Sequence, residues 1–177
     1  MIHVALLHSI TLPDGRLAMS DLRDLVESLG LDTPRTLAST GNLLFETAEG
    51  DVHDLEQRLE LAYAHRFGRH VDIIVRTAPH WQRTVAANPF PDAEAAQVMV
   101  RVQRTPLPAG TIERLEPYRP AEDRIHIVDG DLWVCFGGPP NRSRLLGALT
   151  TKRLGIGTSR IWNTVRKLGE WISADAT

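Results

Sequence analysis

The chain has 177 residues, a formal net charge of −2, 42% hydrophobic residues and 24% charged residues. That length buries a sizeable core in one large or two small domains, and the composition excludes a disordered chain. The slightly acidic total excludes a whole-surface nucleic-acid binder, and the single cysteine, Cys135, excludes an intrachain disulfide or a thiolate zinc cluster.

Ile2 to His8 is mostly apolar and predicts a first, central strand. It is short, broken by histidines and lacks a basic lead, so no signal peptide is expected. No apolar run reaches the length that spans a membrane, and the expectation is a cytoplasmic protein. Thr11 to Gly15, with Pro13-Asp14-Gly15 inside it, is a turn by composition. From Met19, the spacing of Leu22, Leu25, Val26 and Leu29 predicts a helix that Gly30 stops.

Thr36 to Ala38 and Leu43 to Phe45 read as two strands joined by the turn Ser39-Thr40-Gly41-Asn42. A second helix over 52–67, with Leu55, Leu59, Ala62 and Tyr63 inward, precedes a strand over 71–76. This β-α-β-β-α-β order over residues 1–77 is that of a ferredoxin-like half with an antiparallel sheet.

Residues 78–177 form a second α+β half. It opens on a helix from Pro79 to Ala87, followed by a strand from Val98 to Val102 and a short helix at Thr111 to Leu115. Asp129-Gly130-Asp131 joins the strands Ile125–Val128 and Leu132–Phe136 as a hairpin. Cys135, inside that apolar run, reads as a small buried hydrophobe. Two basic helices, Ser143 to Leu154 and Thr158 to Ile172, then close the chain as a C-terminal helical pair. The fold class is α+β, with two ferredoxin-like halves able to form one compact unit.

Five stretches in order resemble the bacterial family catalogued as domain of unknown function 1697. They are Met19 to Arg23, Ser39 to Phe45, Ala87 to Phe90, Asn141 to Leu145 and Thr158 to Thr164. The resemblance implies two ferredoxin-like halves and carries no established activity. Two departures stand out. Leu7-His8-Ser9-Ile10-Thr11-Leu12-Pro13-Asp14 lacks the arginine, asparagine and paired glycines of the family's first loop, and Ile161 stands where the family often has asparagine.

The candidate site lies in the basic tail. From Asn141 onward Arg142, Arg144, Lys152, Arg153, Arg160, Arg166 and Lys167 face only Glu170 and Asp175. Thr158 reads as an N-cap behind Gly155 and Gly157, which puts Arg160 in the first helical turn, where a cation opposes the macrodipole. Either the arginine is paired within the fold, or the site holds an anion on free amides. The expected ligand-binding residues are Arg142, Ser143, Arg144, Thr158, Ser159, Arg160, Trp162, Asn163 and Lys167, with arginines on phosphates and Trp162 stacked on a base.

The seven histidines form no helical zinc pair, and no nucleophile elbow, phosphate loop or dinucleotide fingerprint occurs. Glu46, Glu49 and Asp51 read as a solvated turn. No metal and no cofactor are expected, and no catalytic residue is assigned. The first functional reading is binding of a phosphate-bearing small molecule or nucleic acid. The alternatives are an oligomerisation or protein-interaction module without activity, and an enzyme with a site between the halves.

Overall fold

The computed structural model describes residues 1–48 and 50–175. The chain divides into two compact units, Met1–Arg83 with Leu168–Thr177, and Thr84–Lys167. Glu49, one of the acidic residues after the third predicted strand, lies outside the described residues.

In the first unit the elements run β1 (Ile2–Leu7), β2 (Thr11–Leu12), β3 (Gly15–Arg16), α1 (Met19–Ser28), β4 (Asp32–Leu37), β5 (Asn42–Glu46), α2 (Val52–Phe67) and β6 (Ile73–Thr77). Four of these strands pair antiparallel in the order β4-β5-β1-β6. Within the expected Thr11 to Gly15 turn, the two-residue strands β2 and β3 pair with each other around Pro13 and Asp14. Alternation sends Ala5, Leu7, Leu43, Phe45, Ile73 and Val75 to one face, where they pack with Leu22, Leu25, Leu55, Leu59 and Tyr63. Helix α2 starts at Asp51, whose carboxylate accepts from the amides of His53 and Asp54, and ends at Gly68 in the left-handed region (φ 68°).

Helices α3 (Ala78–Ala86) and α7 (Trp162–Asp175) each contribute residues to both units. The second unit also contains β7 (Val98–Gln103), α4 (Thr111–Leu115), β8 (Arg124–Val128), β9 (Asp131–Cys135), α5 (Arg144–Ala148), α6 (Thr151–Leu154) and β10 (Gly157–Ile161). Its antiparallel sheet has the order β10-β7-β9-β8. Met99, Leu132, Val134 and Phe136 pack with Leu115, Leu145, Ala148, Leu149 and Leu154. The β8–β9 turn is built on Asp129 and Gly130, both at positive φ (51° and 85°), as an Asp-Gly hairpin requires.

Two predicted elements are corrected. Thr158 to Ile161 is not the start of a helix but most of β10, paired residue for residue with β7 from Gly157↔Gln103 to Ile161↔Met99. The apolar stripe of Val165, Leu168 and Ile172 is buried, yet Ile161 keeps 46% of its surface and lies off that stripe. The predicted helix over Ser143 to Leu154 also breaks at Leu149 and Thr150, leaving the two short helices α5 and α6. The C-terminal helical pair is therefore two short helices, a strand and one long helix.

With β10 in place, and α5 with α6 counted as one connection, the second unit runs β-α-β-β-α-β. Its sheet order by sequence rank is fourth, first, third, second. The first unit has the same order, as β6-β1-β5-β4. The described structure is a mixed α+β chain with two four-stranded antiparallel sheets of one connectivity.

Candidate functional site

Three of the expected ligand residues share β10. Thr158 and Arg160 point to one face of the strand and Ser159 to the other. Thr158 is not an N-cap. Its Oγ1 accepts from Arg160 Nη1 at 2.7 Å, and the same nitrogen donates to the Ser159 carbonyl at 2.9 Å. Arg160 keeps 8% of its surface, and burial pushes its guanidinium pKa down to about 10. The cation is in a strand, so the opposition to a helix dipole does not arise.

Arg142 and Ser143 belong to a different place. They line a cavity of about 190 Å³ together with Glu122, Asp123 and Gly137. Ser143 Oγ caps α5 by accepting from the Leu145 amide at 3.1 Å, and it donates to Asp123 Oδ2. Asp123 is buried and its other oxygen accepts from the Gly137 amide. The carboxylates of Glu122 and Asp123 share that lining with the guanidinium of Arg142, so the lining is net acidic. Arg144, the first residue of α5, is exposed.

Trp162 is half-buried, with its ring 5.9 Å from that of the buried Trp133. Asn163 and Lys167 are exposed on the first turns of α7. Arg153 is committed to structure. It stacks on Tyr118 at 4.3 Å and donates to the Tyr118 hydroxyl and the Ala148 carbonyl.

Sequence reasoning missed a second buried cation of this sheet, Arg101 in the middle of β7. It keeps 2% of its surface and stands opposite Ser159 of β10 and Leu132 of β9. Among the described residues its guanidinium meets one acceptor, the Gly155 carbonyl at 3.1 Å, and its Nε meets none. Burial alone pushes its pKa down. Two residues on, Gln103 Nε2 donates to the Leu154 carbonyl at 2.6 Å, so both side chains hold the loop that leads from α6 into β10. A cavity of about 280 Å³ lined by Thr150, Lys152 and Arg153 opens on α6 just before that loop. The signal was present in Val98-Met99-Val100-Arg101-Val102, where a strand with apolar alternation carries a cation at the parity of Met99.

The Ser39-Thr40-Gly41-Asn42 turn is structural. Asn42 is fully buried and its amide donates to the Leu37 carbonyl and Thr40 Oγ1. A Cβ on Gly41 (φ 75°) would lie 2.8 Å from Ile10 and 2.9 Å from Leu7.

The family described as "Protein of unknown function (DUF1697)" matches residues 1–133, three-quarters of the chain. The chain belongs to this family. The match covers the first three of the resembling stretches; those at Asn141 and Thr158 lie beyond it. A solved structure of the conserved bacterial protein SP0830 from Streptococcus pneumoniae is similar with a TM-score of 0.76 at 15% identity, over 97% of this chain and 98% of that one. At that identity the likeness shows that this DUF1697 chain shares a fold with SP0830. No curated protein matches it. No helix of the described residues is long and apolar enough to cross a membrane.

Proposed function

We propose that the chain binds a phosphate-bearing ligand on the β7–β10 side of its second unit, with Arg101 as the principal anion contact. The carrying observation is a guanidinium with 2% of its surface exposed, one carbonyl partner and an unused Nε donor. A buried cation in that state is costly unless an anion completes it, and a planar guanidinium matches two phosphate oxygens at once. Ser159 stands across from it in the pairing and offers a hydroxyl, and the exposed Lys152 extends the positive field on α6. Of the residues expected from sequence, this reading uses Ser159 and leaves Arg142 and Ser143 to the acidic cavity beside Asp123.

The fold belongs to the same reading. A β-α-β-β-α-β order with strands ranked fourth, first, third, second supports ferredoxin-like topology for each unit. We take the protein to be cytoplasmic, consistent with a lone buried thiol.

The test is urea unfolding of the wild type and Arg101→Met with inorganic phosphate, a nucleoside monophosphate and a short single-stranded oligonucleotide. A ligand at a hundred times its dissociation constant stabilises the native state by about 2.7 kcal/mol. The expected result is a raised midpoint for the wild type alone, weakening with added salt. Equal response of the two proteins would refute the site, and an oligonucleotide effect beyond that of the mononucleotide would identify nucleic acid as the ligand.

A further inference from the structure

The first unit carries a second, independent cluster of ligand atoms. Glu60 lies on α2, and His70 and Asp72 lie in the segment between the end of α2 and β6. One ligand atom from each falls within 4.8 Å of the others. His70 Nε2 and Asp72 Oδ1 are 3.1 Å apart, and Glu60 Oε1 accepts from the Ile73 amide at 2.8 Å. We propose that Glu60, His70 and Asp72 form a binding site for a first-row divalent cation of the zinc type.

The donor chemistry selects that class. One imidazole and two carboxylates make a mixed nitrogen–oxygen set, which suits zinc and its neighbours, whereas calcium and magnesium favour sites of oxygen alone. The geometry is close to what coordination needs. Zinc bonds of about 2.0–2.2 Å put tetrahedral ligand atoms roughly 3.4 Å apart. The His70–Asp72 separation is already in that range, and the Glu60 carboxylate, within 4.8 Å of both, needs a shift of about 1.4 Å at most, within reach of its own side-chain torsions.

The backbone around the cluster is held. Packing of α2 on β6 fixes the height of Glu60, its bond to the Ile73 amide orients the carboxylate, and the Asp72 carbonyl accepts from the His8 amide at 2.9 Å. Glu60 and His70 also line an open cavity of about 280 Å³ with Gln57, Leu61 and Ala64. That cavity leaves room for the waters, or an exchangeable ligand, that complete the coordination sphere. Arg69, the neighbouring cation in sequence, donates to the Thr11 carbonyl at 2.5 Å. Three ligands with open positions describe a site that exchanges its fourth partner, unlike a closed structural centre.

The cluster is remote in sequence from Arg101 and stands whether or not the anion reading holds. The experiment is calorimetric titration of Zn²⁺ into the untagged full chain, with Mg²⁺ as comparison and Co²⁺ absorption as a report on ligand type. Variants are His70→Ala, at an exposed position, and Glu60→Gln, which keeps an oxygen for the Ile73 amide. The expected result is one Zn²⁺ per chain, weakened at least about tenfold by either substitution, with Mg²⁺ giving no comparable heat. Circular dichroism of each variant matching the wild type separates loss of ligand from loss of fold. Absence of saturable Zn²⁺ binding, or binding untouched by both substitutions, would overturn the proposal.

Discussion

Arg101→Met turns the unusual burial of this arginine into a signed stability change. The side chain keeps 2% of its surface and donates to the Gly155 carbonyl at 3.1 Å, with no carboxylate against it among the described residues. Losing a hydrogen bond from a charged donor costs about 1.5–3 kcal/mol. Against this, methionine removes the desolvation of a charge, several kcal/mol in real proteins, and replacing buried ionic groups by apolar ones of similar volume often stabilises by about 1–4 kcal/mol. The downward pKa, caused by burial alone, indicates that desolvation outweighs the attraction of its surroundings. Without ligand, the variant is expected to gain about 1 kcal/mol, read as a higher urea midpoint at unchanged slope and about 2–4 °C in Tm. Added phosphate should shrink or reverse the difference, because only the wild type gains from it. A variant less stable by about 2 kcal/mol or more, with or without phosphate, would show that Arg101 serves to pin the loop before β10. The anion reading would then lose its foundation.

Gly157→Ala should destabilise by about 1–3 kcal/mol in the same assay, the usual penalty for overpacking. A Cβ there would sit 2.1 Å from Gln103 Oε1, and Gln103 is itself buried and bonded to Leu154. Ser143→Ala should lose about 1–2 kcal/mol by removing the cap of α5 and one partner of buried Asp123, while leaving any phosphate response intact. Tyr63→Phe should change the alkaline limb of the stability profile. Burial raises the folded Tyr63 pKa above its ordinary value, an effect only partly opposed by Arg69. The contribution of this phenol is therefore full below about pH 10 and is lost as pH rises through the folded value. The variant should decline less steeply above about pH 10 when unfolding is followed by circular dichroism. Identical alkaline slopes would contradict the assignment.

Elements with strong local signals were legible. Helix α2 follows its apolar period between Asp51 and Gly68, and the β8–β9 hairpin follows from Asp129-Gly130. Strand β10 was not legible, because Ile161 lies four residues before Val165 and extends a real helical stripe backwards by coincidence. The pairing partner that decides the matter, β7, is more than fifty residues earlier in the chain. Arg101 was visible as a cation at a core-facing parity, but its lack of a carboxylate partner depends on which groups the fold brings to it. Glu60, His70 and Asp72 carry no spacing signal at all. They meet only because α2 returns over the start of β6.

The shared connectivity of the two sheets bears on why Arg101 is there. The first strand of each unit sends alternate residues toward the helices: His3, Ala5 and Leu7 in β1, and Met99, Arg101 and Gln103 in β7. In β1 the two positions nearest the loop end are apolar and fully buried, and the sheet forms with the same strand order. The topology therefore does not need a cation or an amide at those positions. In β7 both polar side chains are buried and both grip the segment between α6 and β10, at a cost in desolvation that the apolar equivalents avoid. A buried polar pair that one unit folds without, and that the other carries at a desolvation cost, is what the proposed anion site would add to a scaffold. The proposed anion site lies on the first strand of the second unit, where the first strand of the other unit carries apolar side chains at the corresponding positions.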